Sequence, residues 1–411
     1  MSVTGNIIMQ ILFLISILSA LFITALTAPI FGITQVVTAS FIPIVLYILI
    51  TISRKPDVYL RQHYNLPAYR ILIFGVILLL LKYSIGQDYF KNILQFIFIP
   101  LFISIVFERL SSSQRMILNK SVLLFYIIEC ALAIYERIFQ INLFRNSEEL
   151  DQISTYIPEA WTFRSTSLMG HPLANAMVVT TILTFILLNK RFNIKLKLLL
   201  FALGYIALFC FNARGATIIA SLFIIPYIIY LIRQTKNKYL KRGLYITFIL
   251  GGLIFVYYAI NTSFGGRLFN QEKLLDGSAQ TRLDVFQFHQ FITLDQLLWG
   301  SPDSYLFLTR KLEAGGVENG IIVLIIDYGL IPVLFLLPLL IYFHYTKLSI
   351  YTKYERIWIM AIFYIIGTMN PNLASPTQWT IWIFAYYAFR NKTLRVCPLS
   401  DKKRYGYSIN K

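Results

Sequence analysis

PLANAMVVTTILTFILLN at residues 172–189, LKLLLFALGYIALFCF at 196–211 and ATIIASLFIIPYIIYLI at 216–232 follow one another, separated only by KRFNIK (190–195) and NARG (212–215). Each run is apolar around the whole circumference of a helix. Such a helix belongs either at the centre of a large core or in a membrane. Three in tandem, joined by such short turns, leave no room for a sheet or a soluble layer. The stretch reads as three helices packed within a bilayer.

Outward from it lie nine more apolar segments, at 7–27, 33–52, 70–86, 92–107, 118–136, 243–260, 317–343, 357–372 and 377–389. Composition agrees. The 411 residues are 57% hydrophobic and 14% charged, with a mean hydropathy of +0.65; an average soluble domain carries about 25% charged residues. An ordinary cytoplasmic enzyme, a secreted disulfide scaffold and a disordered chain are excluded. The run at 7–27 lacks a basic flank and leads into further spans, so it reads as an uncleaved helix. Cys130, Cys210 and Cys397 have the spacing of neither a disulfide framework nor a zinc site. The expected fold is an all-α polytopic membrane protein of about twelve transmembrane helices, one integral domain over residues 1–411.

The net charge of +18 is spread over short loops with no single basic patch, which argues against nucleic acid. Its distribution instead sets orientation. With the N-terminus inside, 26 of the 37 Lys and Arg fall on the cytoplasmic side, those at span edges included, and 10 fall outside. Most acids lie outside, among them Glu148, Glu149, Asp151, Glu159, Glu272, Asp276, Asp284, Asp295, Asp303 and Glu313. Both termini are then cytoplasmic, with a basic tail over 390–411, and two large external loops occupy 137–171 and 261–316. The cytoplasmic loops are too short for a catalytic domain. No Walker A pattern offers an energy source, so outer-face chemistry needs a pre-activated substrate.

Four places could carry that chemistry. Arg164 precedes Gly170-His171-Pro172, where Pro172 suits the first helical position and His171 the N-cap; a helix N-terminus attracts phosphate. Arg214 lies in the tight outer turn Asn212-Ala213-Arg214-Gly215. In the second loop, Thr281 and Asp284 resemble a capping box opening a helix from Arg282 to about Trp299, with Arg282, Phe286 and His289 on one face. Gly315-Gly316-Val317-Glu318-Asn319-Gly320 opens the tenth span, and Glu318 there suits a general base or a favourable end charge. Glu129, Glu136 and Asp327 are acids within spans, which mark functional sites or buried ion pairs. Glu148-Glu149-Leu150-Asp151 reads as a solvated acidic loop. No metal or cofactor site is expected: the chain has four histidines and no H-E-x-x-H.

These segments in this order resemble the bacterial O-antigen and capsular polysaccharide polymerases, a superfamily that includes the O-antigen ligases. The resemblance covers roughly residues 160–375. It rests on Arg164 with Gly170-His171-Pro172, the Arg214-Gly215 turn, the Arg282 helix closing at Trp299-Gly300, and Glu318-Asn319 with Gly329. It implies a fold of the membrane-embedded type C glycosyltransferase class and action on undecaprenyl-diphosphate-linked oligosaccharide at the outer face of the bacterial cytoplasmic (inner) membrane. It implies metal-independent transfer, with a flippase and a chain-length regulator as partners. Arg164, Arg214, Arg282, His289 and Asn319 would bind diphosphate or sugar; Glu318, His171 and Arg282 would be catalytic. Ligases carry His-Asn where this chain has Glu318-Asn319, and Pro332 departs from them too, which favours the polymerase branch. A ligase, or a flippase for the same lipid, is the alternative. Against a flippase, basic residues within spans are nearly absent, Lys82 excepted, and polar candidates gather at the outer face.

Overall fold

The computed structural model of the protein describes residues 3–24, 27, 36–60, 67–85, 90–143, 163–262, 264, 284–301, 304–311 and 317–391. Helices are the only regular secondary structure among the described residues, and no strand is found among them. In chain order the helices are α1 (Val3–Phe22), α2 (Val36–Arg54), α3 (Pro56–Leu60), α4 (Pro67–Ser84), α5 (Phe90–Phe107), α6 (Ser112–Phe139), α7 (Pro172–Leu188), α8 (Ile194–Cys210), α9 (Arg214–Arg233) and α10 (Lys238–Asn261). After the second large loop come α11 (Leu294–Trp299), α12 (Ser304–Lys311), α13 (Gly320–Tyr328), α14 (Leu330–Lys347), α15 (Lys353–Thr368) and α16 (Pro376–Phe389). Six helices among the described residues (α4, α5, α6, α9, α10 and α14) are long and apolar enough to cross a membrane.

The centre of the bundle is the first run quoted above. Every residue of α7 is buried, as a helix apolar on all faces requires. Helix α16 shares that position: Trp382 and Tyr387 are among the largest fully buried side chains, and Phe107 stacks on Phe384 at 5.5 Å. Helices α6, α8, α9 and α15 pack on α7, and α5 and α6 pack on α16. By contrast α10 buries only 6% of its apolar window, so nearly its whole surface faces outward.

Two expected elements differ. The sequence predicts one helix over 317–343, but the chain breaks into α13 and α14 at Gly329, where φ is +95°. The break has a tertiary cause. Gly329 lies against the backbone of Trp299, and a Cβ there would meet the Trp299 Cα at 2.6 Å. Reciprocally, a Cβ on Gly300 (φ +81°) would meet Gly329 N at 2.6 Å and Asp327 O at 2.8 Å. Ser301 N–H donates to Ile326 O at 2.7 Å across the same contact. The helix also starts at Gly320, because the Asn319 side chain accepts from Ile321 N and Ile322 N as its cap.

The second difference concerns the helix predicted from Arg282 to Trp299. A 3-10 turn spans Val285–Gln290, and α11 begins afresh at Leu294. Thr293 and Gln296 form a reciprocal capping box that requires an extended residue at 293, so one continuous helix is impossible. Asp284 makes no side-chain cap bond; Thr281 and Arg282 lie outside the described residues.

Candidate functional site

The stretch 163–170 threads into the bundle with one turn bond of its own, Gly170 N–H to Thr166 O at 3.0 Å, so most of its backbone groups need partners from elsewhere. Helix α6 supplies them from one face. Glu136 Oε2 accepts from Thr166 N at 2.8 Å and Ser167 N at 2.9 Å. Glu129 Oε2 accepts from Leu168 N at 3.2 Å, and Ala133 O accepts from Ser165 Oγ at 2.8 Å. From α7, Asn175 donates to Thr166 O and accepts from Met169 N. Two of the three acids that the sequence places within spans, Glu129 and Glu136, therefore hold a loop. Their partners are backbone amides 30 to 39 residues away, which no pattern along α6 reveals.

That loop carries Arg164. Its Nε donates to Phe211 O at 3.4 Å, and Ser165 N donates to Cys210 O at 3.1 Å, which binds the segment to the end of α8. There Asn212 turns the chain with φ +51°, and Arg214 becomes the first residue of α9. Arg164 and Arg214 consequently line one pocket of about 30 Å³, together with Asn212, Asn370, Leu173 and Met369. Two arginines and the N-terminus of a twenty-residue helix border the same space. This is a setting for an anion: the helix end contributes N–H groups and a positive dipole, and each arginine offers a fork matched to phosphate oxygens.

None of the remaining described candidates lines this pocket. His171 is the N-cap of α7 as predicted, exposed, two residues before the pocket-lining Leu173; its side chain makes no cap bond. Glu318 is half-buried, beside the Asn319 cap. The next residue, Gly320, is pressed on the α15 end: a Cβ would meet Gly367 O at 2.6 Å and Asn370 O at 2.8 Å. Asn370 lines the pocket, so the Glu318 turn lies one packing layer from it. Asn319 uses its side-chain oxygen on the helix cap.

His289 lies a layer further out. It is exposed and its Nδ1 pairs with Phe286 O at 3.0 Å, while Phe286 is 57% exposed. In a 3-10 turn residues three apart eclipse, so the two rings share a face. Val285 and Phe288 on the opposite side bury against Val317 and Ile322, which docks this turn beside Glu318. Arg282 and the acidic stretch Glu148-Glu149-Leu150-Asp151 lie outside the described residues. Among the described residues, no group of three or more His, Cys, Asp or Glu could hold a metal ion.

Sequence reasoning missed Asn370 and Met369 as pocket-lining residues. Asn370 had one signal: it precedes Pro371 and caps a 3-10 turn, accepting from Asn372 N at 2.8 Å. It also missed Lys82 as a contact of the segment 294–301, for Lys82 donates to Trp299 O.

Compared with known proteins, the chain matches no family model and no curated sequence.

Proposed function

We propose that the protein is a glycosyltransferase that joins undecaprenyl-diphosphate-linked oligosaccharide repeat units on the outer face of a bacterial cytoplasmic membrane. In this reading it crosses the bilayer twelve times, has the type C glycosyltransferase fold and keeps both termini in the cytoplasm. The observation that carries the reading is the pocket shared by Arg164 and Arg214 at the start of α9. A polyprenyl diphosphate presents two phosphates beside an apolar chain, and the pocket sets two arginines beside Leu173 and Met369.

The chemistry follows from those groups. Arg164 and Arg214, with Arg282 from the second loop, hold the donor diphosphate and stabilise the charge that develops as it leaves. Glu318 takes the proton of the acceptor hydroxyl, with His171 as its competitor for the role. The acceptor oxygen bonds to the anomeric carbon as the bond from that carbon to the diphosphate oxygen breaks. Undecaprenyl diphosphate departs, and a single displacement inverts the anomeric centre. His289 with Phe286, and Asn319, contact sugar.

The test is Arg214→Ala in cells that make the matching polysaccharide, with membrane insertion verified and extracted glycans resolved on a gel. Loss of long chains with single lipid-linked repeats accumulating outside is the expected result. Long lipid-linked chains left unattached would identify a ligase. Repeats retained on the cytoplasmic side would identify a flippase.

A further inference from the structure

Lys82 is fully buried near the end of a helix long and apolar enough to cross a membrane. A lysine there demands partners, and the loss of any one leaves a charge in an apolar medium. Its ammonium donates to the carbonyl oxygen of Trp299, 217 positions away at the end of α11. The acid acting on it is Asp327 in the last turn of α13, two residues before the break at Gly329. Three segments thus meet at one place: α4 brings the cation, α13 the anion, and the segment 294–301 a carbonyl.

The surrounding backbone is built for that meeting. Gly300 and Gly329 touch with no side chain between them, and Ser301 N bonds Ile326 O at 2.7 Å. Tyr328 stacks on Phe96 at 5.7 Å, in the π-helical turn Leu94–Phe98 of α5. The segment held here runs back through α11 to the turn carrying Phe286 and His289. That turn in turn packs against Val317, next to Glu318.

We infer that Lys82 and Asp327 are positioning residues: a charged latch that draws the segment 294–301 into the helix break and so fixes the 285–290 turn beside Glu318. The role of that turn in sugar transfer rests on the proposed function. The latch itself does not, and it is read without any sugar.

The experiment is hydrogen–deuterium exchange on the full-length protein in detergent, comparing wild type with Lys82→Met, which keeps the length and removes the charge. Amides of 294–301, that of Ser301 above all, are expected to exchange at least tenfold faster, while amides of 163–170 keep their rates. Asp327→Asn, nearly isosteric, is the second variant and should loosen the same peptides should Lys82→Met fail to purify. Lys82→Arg, retaining the charge and the donor, should restore slow exchange. Unchanged exchange at 294–301 in a monodisperse Lys82→Met or Asp327→Asn protein overturns the latch. Equal acceleration across 163–170 and 294–301 also overturns it, since the pair would then serve the whole bundle.

Discussion

The carboxylate of Glu136 accepts the backbone N–H of Ser167 at 2.9 Å while its other oxygen accepts that of Leu143 at 3.1 Å. One side chain therefore grips both the segment that leaves α6 and the segment that leads into α7. Arg137, the next residue, adds to that grip by donating to Phe163 O. Arg164 stands on the segment leading into α7, so the position of a candidate phosphate-binding group depends on an acid two helical turns from the other loop anchor, Glu129.

Glu136→Ala strands three backbone donors, at Leu143, Thr166 and Ser167. Thr166 and Ser167 are buried, and each donor stranded there costs about 1–3 kcal/mol, whereas Leu143 is exposed and its amide can turn to solvent. The expected outcome is a melting temperature lowered by many degrees in detergent and faster proteolysis within 143–167. Glu136→Gln retains one carbonyl oxygen and should lie between the two. Thermal melts of the three proteins decide it, and an unchanged Glu136→Ala melt contradicts the anchoring role.

At the pocket, fork geometry separates arginine from lysine. Arg214→Lys keeps the charge but presents a point donor, so binding of inorganic diphosphate should weaken roughly tenfold, and Arg214→Ala should weaken it by more. Arg164→Ala should act the same way. Titration calorimetry on the purified protein measures all three, and equal affinities would remove the arginines from an anion site.

Glu318 and His171 make opposite claims to the base. With Glu318 in that role, Glu318→Gln lowers turnover by roughly 10²–10⁴-fold while the melting temperature holds, and His171→Ala changes turnover only severalfold. The reverse pattern transfers the role to His171, which stands exposed at the N-cap of α7.

Glu108 gives a pH dependence at the opposite end of the bundle. Burial alone would raise its pKa, but Lys347 at 2.6 Å and Arg390 at 2.9 Å hold it down to about 2. Because this lies below the ordinary value of 4.5, the group contributes stability that is fully present above pH 4.5 and is lost as pH falls toward 2. Melting temperature should fall across that window in the wild type. Glu108→Gln should start lower at pH 7 and respond less to acid. A Glu108→Gln protein with the wild-type pH profile would contradict the pairing.

Three glycines divide by their surroundings. Gly329→Ala and Gly300→Ala each place a Cβ on backbone atoms at a positive φ, so both should express poorly or melt early. Gly252→Ala meets nothing within 4 Å and lies within α10, so it should be neutral or gain up to about 1 kcal/mol. Expression level and melting temperature of the three variants check the contrast.

Much of the helical framework was legible because apolar runs and turn residues are local signals. Pro172 placed His171 at an N-cap, and the structure puts it there. The division of 317–343 was not legible, since isoleucine, leucine and valine continue on both sides of Gly329 and the cause of the break is Trp299-Gly300. The continuous helix from 282 failed because Thr293 and Gln296 open a second one. Arg164 and Arg214 could be named individually from their turns. That they line one pocket follows from Ser165 bonding the end of α8, a contact with no sequence pattern. The tasks of Glu129 and Glu136 were hidden for the same reason.

The most direct test of the proposed function is turnover by the purified protein in detergent, with a polyprenyl-diphosphate-linked repeat unit as sole substrate and no sealed membrane. Wild type should yield a ladder of longer lipid-linked glycans and release polyprenyl diphosphate, and Arg214→Ala should yield neither. Absence of any ladder from folded wild type, with transbilayer movement of the same lipid when it is placed in sealed vesicles, would contradict the account and make the protein a transporter.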